Sequence, residues 1–230
     1  MQEFVKDSLF FGVGISLLGY EIGLLLKRKW KLAIFNPLLV SIAFVIIVLL
    51  VFRIDYEDYS SGAKYLSYLL TPATVCLAIP LYEQLELLKS NIKAIIIGIV
   101  SGVITSLISV FLLCFLFGFT HEQYVTLLPK SITTAIGMGI SEELGGIVTI
   151  TVAVIIVTGV LGNIIAETTC RVFRIKHPIA KGIAIGTASH AVGTAKALEM
   201  GEIEGAMSSL SIAVAGLLTV IGASFVVNLI

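Results

Sequence analysis

Uninterrupted apolar stretches fill most of the chain, and six of them reach the length of a membrane-spanning helix. A helix needs about 20 mainly apolar residues to cross the hydrocarbon core of a bilayer. The stretches that qualify are Leu9–Lys27, Leu32–Phe52, Tyr65–Tyr82, Ile92–Phe117, Ile147–Ala166 and Met207–Ile230. The pattern predicts an all-α polytopic integral membrane protein with about six full transmembrane helices.

Two more stretches, Val125–Ile140 and Gly182–Leu198, are apolar on average but rich in residues that weaken a helix. Proline lacks a backbone N–H group, and glycine and hydroxyl residues have low helix propensity. We expect both stretches to be broken or re-entrant helical segments. Over the whole chain, the predicted helix-break residues are Pro72, Pro80, Gly137, Gly139, Gly186 and Gly193.

Lysine and arginine in short loops indicate which side of the membrane a loop faces. The loops at 27–31 and 171–181 are the basic ones and are expected in the cytoplasm, whereas the loop at 119–124 has no Lys or Arg and is expected outside. The chain must then cross the membrane an odd number of times between 119–124 and 171–181. Two apolar stretches lie between these loops, so one of them should not cross. We expect Val125–Ile140 to enter the membrane from outside and return to the same side. The alternative is eight ordinary crossings, with 171–181 as an exception to the charge rule.

Internal similarity supports a repeated architecture. Thr74–Leu85 and Thr133–Leu144 share the pattern T-x-x-[LI]-[AG]-x-x-[LI]-x-E-[EQ]-L, and a looser third copy follows near Ser189 and Gly193. Two broken segments that enter from opposite faces are typical of inverted-topology repeats in carriers. We therefore predict an inverted-repeat, carrier-like core. Chance similarity between two apolar segments is the alternative.

The composition agrees with a membrane protein. The chain has 230 residues, of which 57% are hydrophobic and 13% are charged, whereas a soluble domain carries about a quarter charged residues. Lys+Arg and Asp+Glu balance at 15 each, so charge indicates no acidic or nucleic-acid partner. Three cysteines within or beside apolar stretches are interpreted as buried thiols rather than as a disulfide framework.

The broken segments are where chemistry is expected. Irregular backbone at membrane depth is tolerated only where protein buries it or where it lines a water-filled cavity. Half-helix N-termini carry a partial positive charge that suits a carboxylate or a phosphate, and nearby hydroxyl groups add donors. We therefore predict a site for a small anion. Its substrate-binding residues are predicted to be Thr71, Ala73, Thr74, Lys130, Ser131, Thr133, Thr134, Thr187, Ser189, His190 and Thr194.

His190 is the one histidine inside an apolar stretch, since His121 and His177 lie in loops. An ionisable group inside a membrane is usually functional, and histidine changes charge near neutral pH. The alternative is a neutral histidine that is hydrogen-bonded between helices. The predicted coupling or ion-pair residues are His190, Lys196, Glu142, Glu199 and Glu202. For the lysines and glutamates, the alternatives are snorkelling to the interface and a solvated edge.

Several sequence signatures of enzymes are absent. The sequence contains no Walker A motif, no H-E-x-x-H and no metal-ligand spacing, and its loops are too short for a soluble catalytic domain. We expect no enzymatic activity, no cofactor, no metal and no nucleic-acid partner.

Three long motifs carry a family resemblance. They are Leu70–Tyr82, Leu128–Thr134 with Met138–Glu142, and Gly186–Ala195 with Glu199–Ala206. In this order they resemble the LrgB/CidB family over essentially the whole chain. Thr71 replaces an expected glycine and Ala135 an expected proline, which affects the local geometry of the breaks.

The resemblance implies two functions. Bacterial members are described as antiholin-like proteins that modulate murein hydrolase activity and lysis together with an LrgA/CidA-type holin-like membrane partner. Relatives that include a chloroplast glycolate/glycerate carrier and bacterial pyruvate carriers move small monocarboxylates. The polar broken segments favour the second function: proton-coupled carriage of a monocarboxylate by alternating access. Altered carboxylate flux can itself affect lysis, so the two descriptions are compatible.

The predicted organisation is one LrgB-like transmembrane domain over 1–230. It comprises an N-terminal helix pair at 1–64 and a broken-helix core at 65–146 and 147–230. We expect a multi-pass protein of the cytoplasmic membrane whose partners are the lipid bilayer, a small carboxylate, a second copy in a homodimer and an LrgA/CidA-type protein.

Overall fold

The computed structural model describes residues 10–30 and 35–230. The predicted helix starts Leu9 and Leu32 lie outside these residues. Within the described part, helices are joined by short turns and no strand occurs. The described residues belong to two compact units, Met1–Cys76 and Leu77–Ile230. The predicted subdivision at 64/65 and at 146/147 stays a prediction.

The first unit is built around one helix that packs against two others. Its helices are α1 (Phe11–Trp30), α2 (Pro37–Phe52), α3 (Tyr56–Ser67) and α4 (Leu70–Cys76). Helix α1 contacts both α2 and α3. The approach to α2 is close because Gly23 has no side chain: a Cβ there would lie 2.6 Å from the Cα of Pro37. Ser16 donates to the Gly12 carbonyl and shares a hydrogen bond of 2.9 Å with the Tyr59 hydroxyl.

The second unit surrounds helix α10. Its helices are α5 (Ala78–Glu83), α6 (Leu85–Leu116), α7 (His121–Leu127), α8 (Thr134–Glu143), α9 (Val148–Val172), α10 (Pro178–Met200) and α11 (Glu202–Val226), followed by a 3-10 turn at Val227–Leu229. Helix α10 packs against α6, α9 and α11. Gly186 allows the contact with α11, because a Cβ there would lie 2.5 Å from the Ser208 carbonyl oxygen.

Four helical stretches among the described residues are long and apolar enough to cross a membrane. They are Tyr56–Glu83, Leu85–Leu116, Val148–Val172 and Glu202–Leu229, and Pro37–Phe52 is a shorter apolar helix. Large apolar side chains such as Phe115 and Phe225 are 71% and 82% exposed, as expected for surfaces that contact lipid. These features confirm an all-α polytopic membrane protein. The number of crossings and the inverted repeat stay predictions.

The helix breaks differ from the predicted positions. Gly137 and Gly139 lie inside the continuous helix α8, and Gly186 and Gly193 lie inside regular turns of α10. These four predicted break positions are wrong. Gly137, Gly186 and Gly193 serve packing instead, because a Cβ at each would collide with a neighbouring side chain or carbonyl group.

Both predicted break prolines lie just after an interruption rather than at one. Pro72 is the third residue of α4, after the turn at Tyr68 and Leu69, and Pro80 is the third residue of α5, after Leu77. Proline fits the first turn of a helix because the N–H that it lacks has no intrahelical acceptor there.

Candidate functional site

Helix α10 is broken at His190, inside the stretch Gly182–Leu198 that the sequence analysis singled out. His190 has φ 42° and ψ −141°, a backbone conformation that residues with a side chain rarely adopt. Such a conformation costs about 1–3 kcal/mol, so neighbouring contacts must hold it. The imidazole is buried, and its Nε2 lies 3.0 Å from the Ile155 carbonyl oxygen on α9.

A hydroxyl group of α10 itself and an amide group of α9 satisfy carbonyl oxygens around the break. Thr194 Oγ1 donates to the His190 carbonyl oxygen at 2.9 Å and lies 2.7 Å from Ser208 Oγ on α11. Asn163 Nδ2 on α9 donates to the Val192 carbonyl oxygen at 2.7 Å. The break is therefore fixed to both α9 and α11.

Two glycines of α9 provide the space for the break. A Cβ on Gly159 would lie 2.7 Å from His190 Cε1, and a Cβ on Gly162 would lie 2.5 Å from Ser189 Cβ. Any larger residue at either position would displace the broken segment of α10. The glycines thus determine how closely α9 can approach the break.

The second break separates α7 from α8 and spans 128–133. Buried hydrogen bonds connect these two short helices to α9. Thr151 Oγ1 donates to the Thr126 carbonyl oxygen at 2.9 Å and lies 2.7 Å from Ser141 Oγ, and the N–H of Ile147 donates to Thr126 Oγ1 at 2.8 Å. Pro129 lies within this turn, which presents Lys130 and Ser131 to the interior of the second unit.

A cavity of about 770 Å³ lies between α6, α10 and the turn at 128–133. It extends from Asn91 and His177 at one end to Lys130 and Ser131 at the other. Four hydroxyl residues of α6 line it, together with Thr187 of α10. Those of α6 are Ser101, Thr105, Ser106 and Ser109.

A second cavity of about 370 Å³ lies on the other side of α10, against α9. Its polar lining includes Thr158, Thr169 and Ser189. Lys130 also lines this cavity, so this residue belongs to the walls of both. Lys130 Nζ donates to Ser131 Oγ at 2.9 Å.

The structure brings five of the predicted substrate-binding residues to the cavity walls or to the break beside them. Lys130, Ser131 and Thr187 line the first cavity, Lys130 and Ser189 line the second, and His190 forms the break. Thr194 is fully buried beside His190 and lines neither cavity.

The other predicted substrate-binding residues have different settings. Thr133 and Thr134 are half-buried at the start of α8 and line neither cavity. Thr71 and Ala73 are exposed on α4 in the first unit, and Thr74 belongs to the same helix, but its side chain lies outside the described residues.

The predicted ion-pair residues do not form one cluster. Lys196 Nζ pairs with Glu199 at 3.3 Å and with Glu167 at 3.7 Å, whereas Glu142 and Glu202 are exposed. The buried carboxylate is Glu204, two residues after Glu202, and its Oε1 lies 3.3 Å from Lys181 Nζ. Residues 204–208 of α11 are all buried, and Glu204 contacts Lys181 of α10 within this buried turn.

Glu204→Gln should lower the free energy of unfolding by about 1–3 kcal/mol, because it removes the charge that Lys181 contacts in a partly buried pair. Glu167→Gln is the control: this carboxylate is 55% exposed at 3.7 Å from its lysine, and its loss should cost less than about 1 kcal/mol. Thermal unfolding of the purified chain in detergent measures both. Equal shifts for the two variants would contradict a structural role for Glu204.

Three residues that the sequence analysis did not select belong to the site. In the sequence, Gly159 and Gly162 do not differ from the other glycines of apolar helices, and Ser106 resembles any hydroxyl residue of a long helix. Ser106 Oγ donates to Ser131 Oγ at 3.1 Å, and only the turn at 128–133 explains why this residue matters.

Fold and site define a class of protein: a helical membrane protein with two broken segments and with cavities on both sides of α10. Comparison with known proteins gives the family: the LrgB-like family matches residues 16–229, and the chain belongs to this family. No solved structure matches the chain.

Curated relatives are similar over nearly their whole length. The antiholin-like protein LrgB of Bacillus mycoides (strain KBAB4) is 41% identical over 217 residues, which cover 92% of this chain and 93% of the relative. The antiholin-like LrgB proteins of Bacillus cereus (strain B4264) and Bacillus anthracis (strain CDC 684 / NRRL 3495) are 42% identical with the same coverage. Neither the family description nor these names suggest catalysis.

Proposed function

We propose that this chain is an antiholin-like membrane protein that modulates murein hydrolase activity and cell lysis together with an LrgA/CidA-type holin-like partner. The observation that carries the proposal is the identity of 41–42% over 92% of the chain with proteins named antiholin-like. The family match over residues 16–229 includes both broken segments, so the proposal concerns both of them.

Deletion of the gene in its host, followed by restoration with the wild-type chain, tests this proposal. We expect the deletion to change the rate of detergent-induced lysis and the murein hydrolase activity released into the medium, and restoration to reverse both. Unchanged lysis and hydrolase activity after deletion would contradict the proposal.

A second function, carriage of a small monocarboxylate such as pyruvate or glycolate, is favoured by one specific observation. Two cavities that have hydroxyl groups and a lysine among their lining residues flank the first half of a broken helix in a protein of the membrane. Binding to a partner alone needs neither a cavity nor a broken helix, whereas carriers use such breaks to bind substrate at mid-membrane. Carboxylate flux would also give the protein a route by which it affects lysis.

Uptake of labelled pyruvate and glycolate into proteoliposomes tests carriage. We expect uptake by the chain alone or with an LrgA/CidA-type partner, and stimulation by a pH gradient with the outside acidic. The absence of uptake under all of these conditions would reject carriage and leave the antiholin-like proposal in place.

A further inference from the structure

Lys130 lies where the two cavities meet. They share three lining residues, namely Lys130, Ala184 and Ala188. Of these three, Lys130 is the residue with a polar side chain. No ion pair of Lys130 occurs among the described residues, whereas Lys181 and Lys196 both contact glutamates.

The hydrogen bonds around Lys130 leave donors in excess. Ser131 Oγ accepts one hydrogen bond from Lys130 Nζ and another from Ser106 Oγ. Its own hydroxyl hydrogen therefore remains to be donated. An ammonium group has three hydrogens and Ser131 uses one of them, so two more are available. A half-buried group of donors that forms no ion pair with a carboxylate of the described residues is complementary to an anion.

We propose that Lys130, Ser131 and Ser106 form a binding site for one singly charged oxyanion at the junction of the two cavities. The single ammonium balances a single negative charge, the Ser131 hydroxyl donates to one of the oxygens, and Ser106 positions Ser131 through its hydrogen bond. The site deepens the carriage function proposed above and rests on it for its purpose, although binding itself can be measured without carriage. Ser106 of α6 is the positioning residue that this geometry adds.

Two sources can supply such an oxyanion: a small free carboxylate or the phosphate of an anionic lipid. Ile179 and Ile183 give the first cavity apolar walls, while Ser101 and Thr105 give it polar ones. Both ligands share the chemistry that Lys130 recognises. The experiment therefore has one arm for each source.

The experiment measures the thermal midpoint of the purified full-length chain as a function of ligand concentration. Sodium pyruvate and acetate are added in neutral detergent in one arm, against sodium chloride at equal ionic strength. In the other arm, phosphatidylglycerol is added to micelles, against phosphatidylcholine. A ligand that binds the folded chain raises the midpoint with its concentration, and this dependence gives an apparent Kd.

Lys130→Gln should raise the apparent Kd about tenfold or more, because it replaces a charged donor by a neutral one. Ser106→Ala should raise it by a smaller factor, and Lys130→Arg should retain part of the affinity. The matched controls are Lys89→Gln, which removes an exposed charge from α6, and Ser224→Ala, which removes an exposed hydroxyl group from α11. Both should bind like the wild type.

A shift that only one arm produces would identify the source and support the site, provided that Lys130→Gln removes it. An equal shift in wild type and Lys130→Gln would overturn the proposal, as would the absence of any ligand-dependent shift in the wild type. Binding without uptake in proteoliposomes would reject carriage and keep the site. Uptake together with unaltered binding by Lys130→Gln would support carriage and reject the site.

Discussion

Gly162→Val should lower the thermal midpoint of the purified chain by about 6–12 °C. A Cβ at this position would lie 2.5 Å from Ser189 Cβ, so even the first carbon of the new side chain has no room. Overpacking of a tight interior contact costs about 1–3 kcal/mol, and each 1 kcal/mol shifts the midpoint of a chain of this size by roughly 2–4 °C. The expected shift takes about 3 kcal/mol, the upper end of the overpacking cost.

Gly139→Val is the matched control for this variant. Gly139 is exposed on α8, and a Cβ there would meet nothing within 4 Å. Both variants replace glycine by the same β-branched residue within a helix, so they share the change in helix propensity and differ in packing. If the two midpoints fell equally, α9 would not contact the broken segment as described.

His190→Ala should reduce carriage of labelled monocarboxylate in proteoliposomes by about tenfold or more and remove its dependence on a pH gradient. The imidazole lies at the break of α10, and its Nε2 is 3.0 Å from the Ile155 carbonyl oxygen. Proton coupling requires a group whose charge changes near neutral pH, and alanine has none. The substitution also removes the side-chain contact that holds the break to α9.

His121→Ala serves as the control, since His121 is exposed at the start of α7 and hydrogen-bonds only the carbonyl oxygen of Ile230 among its described contacts. We expect wild-type uptake from this variant. Wild-type uptake and gradient dependence in His190→Ala would move coupling away from the break. The thermal midpoint of the same preparation distinguishes a loss of uptake caused by unfolding from a loss of coupling in the folded protein.

The class of fold follows from the sequence, because apolar stretches of membrane length leave helices as the way to satisfy the backbone. Val125–Ile140 and Gly182–Leu198 also contain the two breaks of the second unit. The exact break residues were not predictable, because groups distant in the sequence hold them. His190 keeps its unusual backbone through Ile155, Thr194 and their neighbours, whereas Gly186 and Gly193 remain helical.

The site shows the same limit of local reasoning. Lys130 and Ser131 were predictable, because Pro129 indicates a turn and a lysine within an apolar segment is unusual. Ser106 was not, since its role depends on a hydrogen bond to a residue 25 positions away. The sequence does not distinguish Glu204 from Glu202, because the position of each residue around the helix decides which carboxylate contacts Lys181.

We propose that the broken-helix core, and not partner binding alone, underlies the proposed antiholin-like function. The most direct test restores a deletion strain with wild type, His190→Ala or His121→Ala, at equal amounts in the membrane, and measures the rate of detergent-induced lysis. We predict that wild type and His121→Ala restore the original rate and that His190→Ala does not. Full restoration by His190→Ala, with its folded state verified, would contradict the claim.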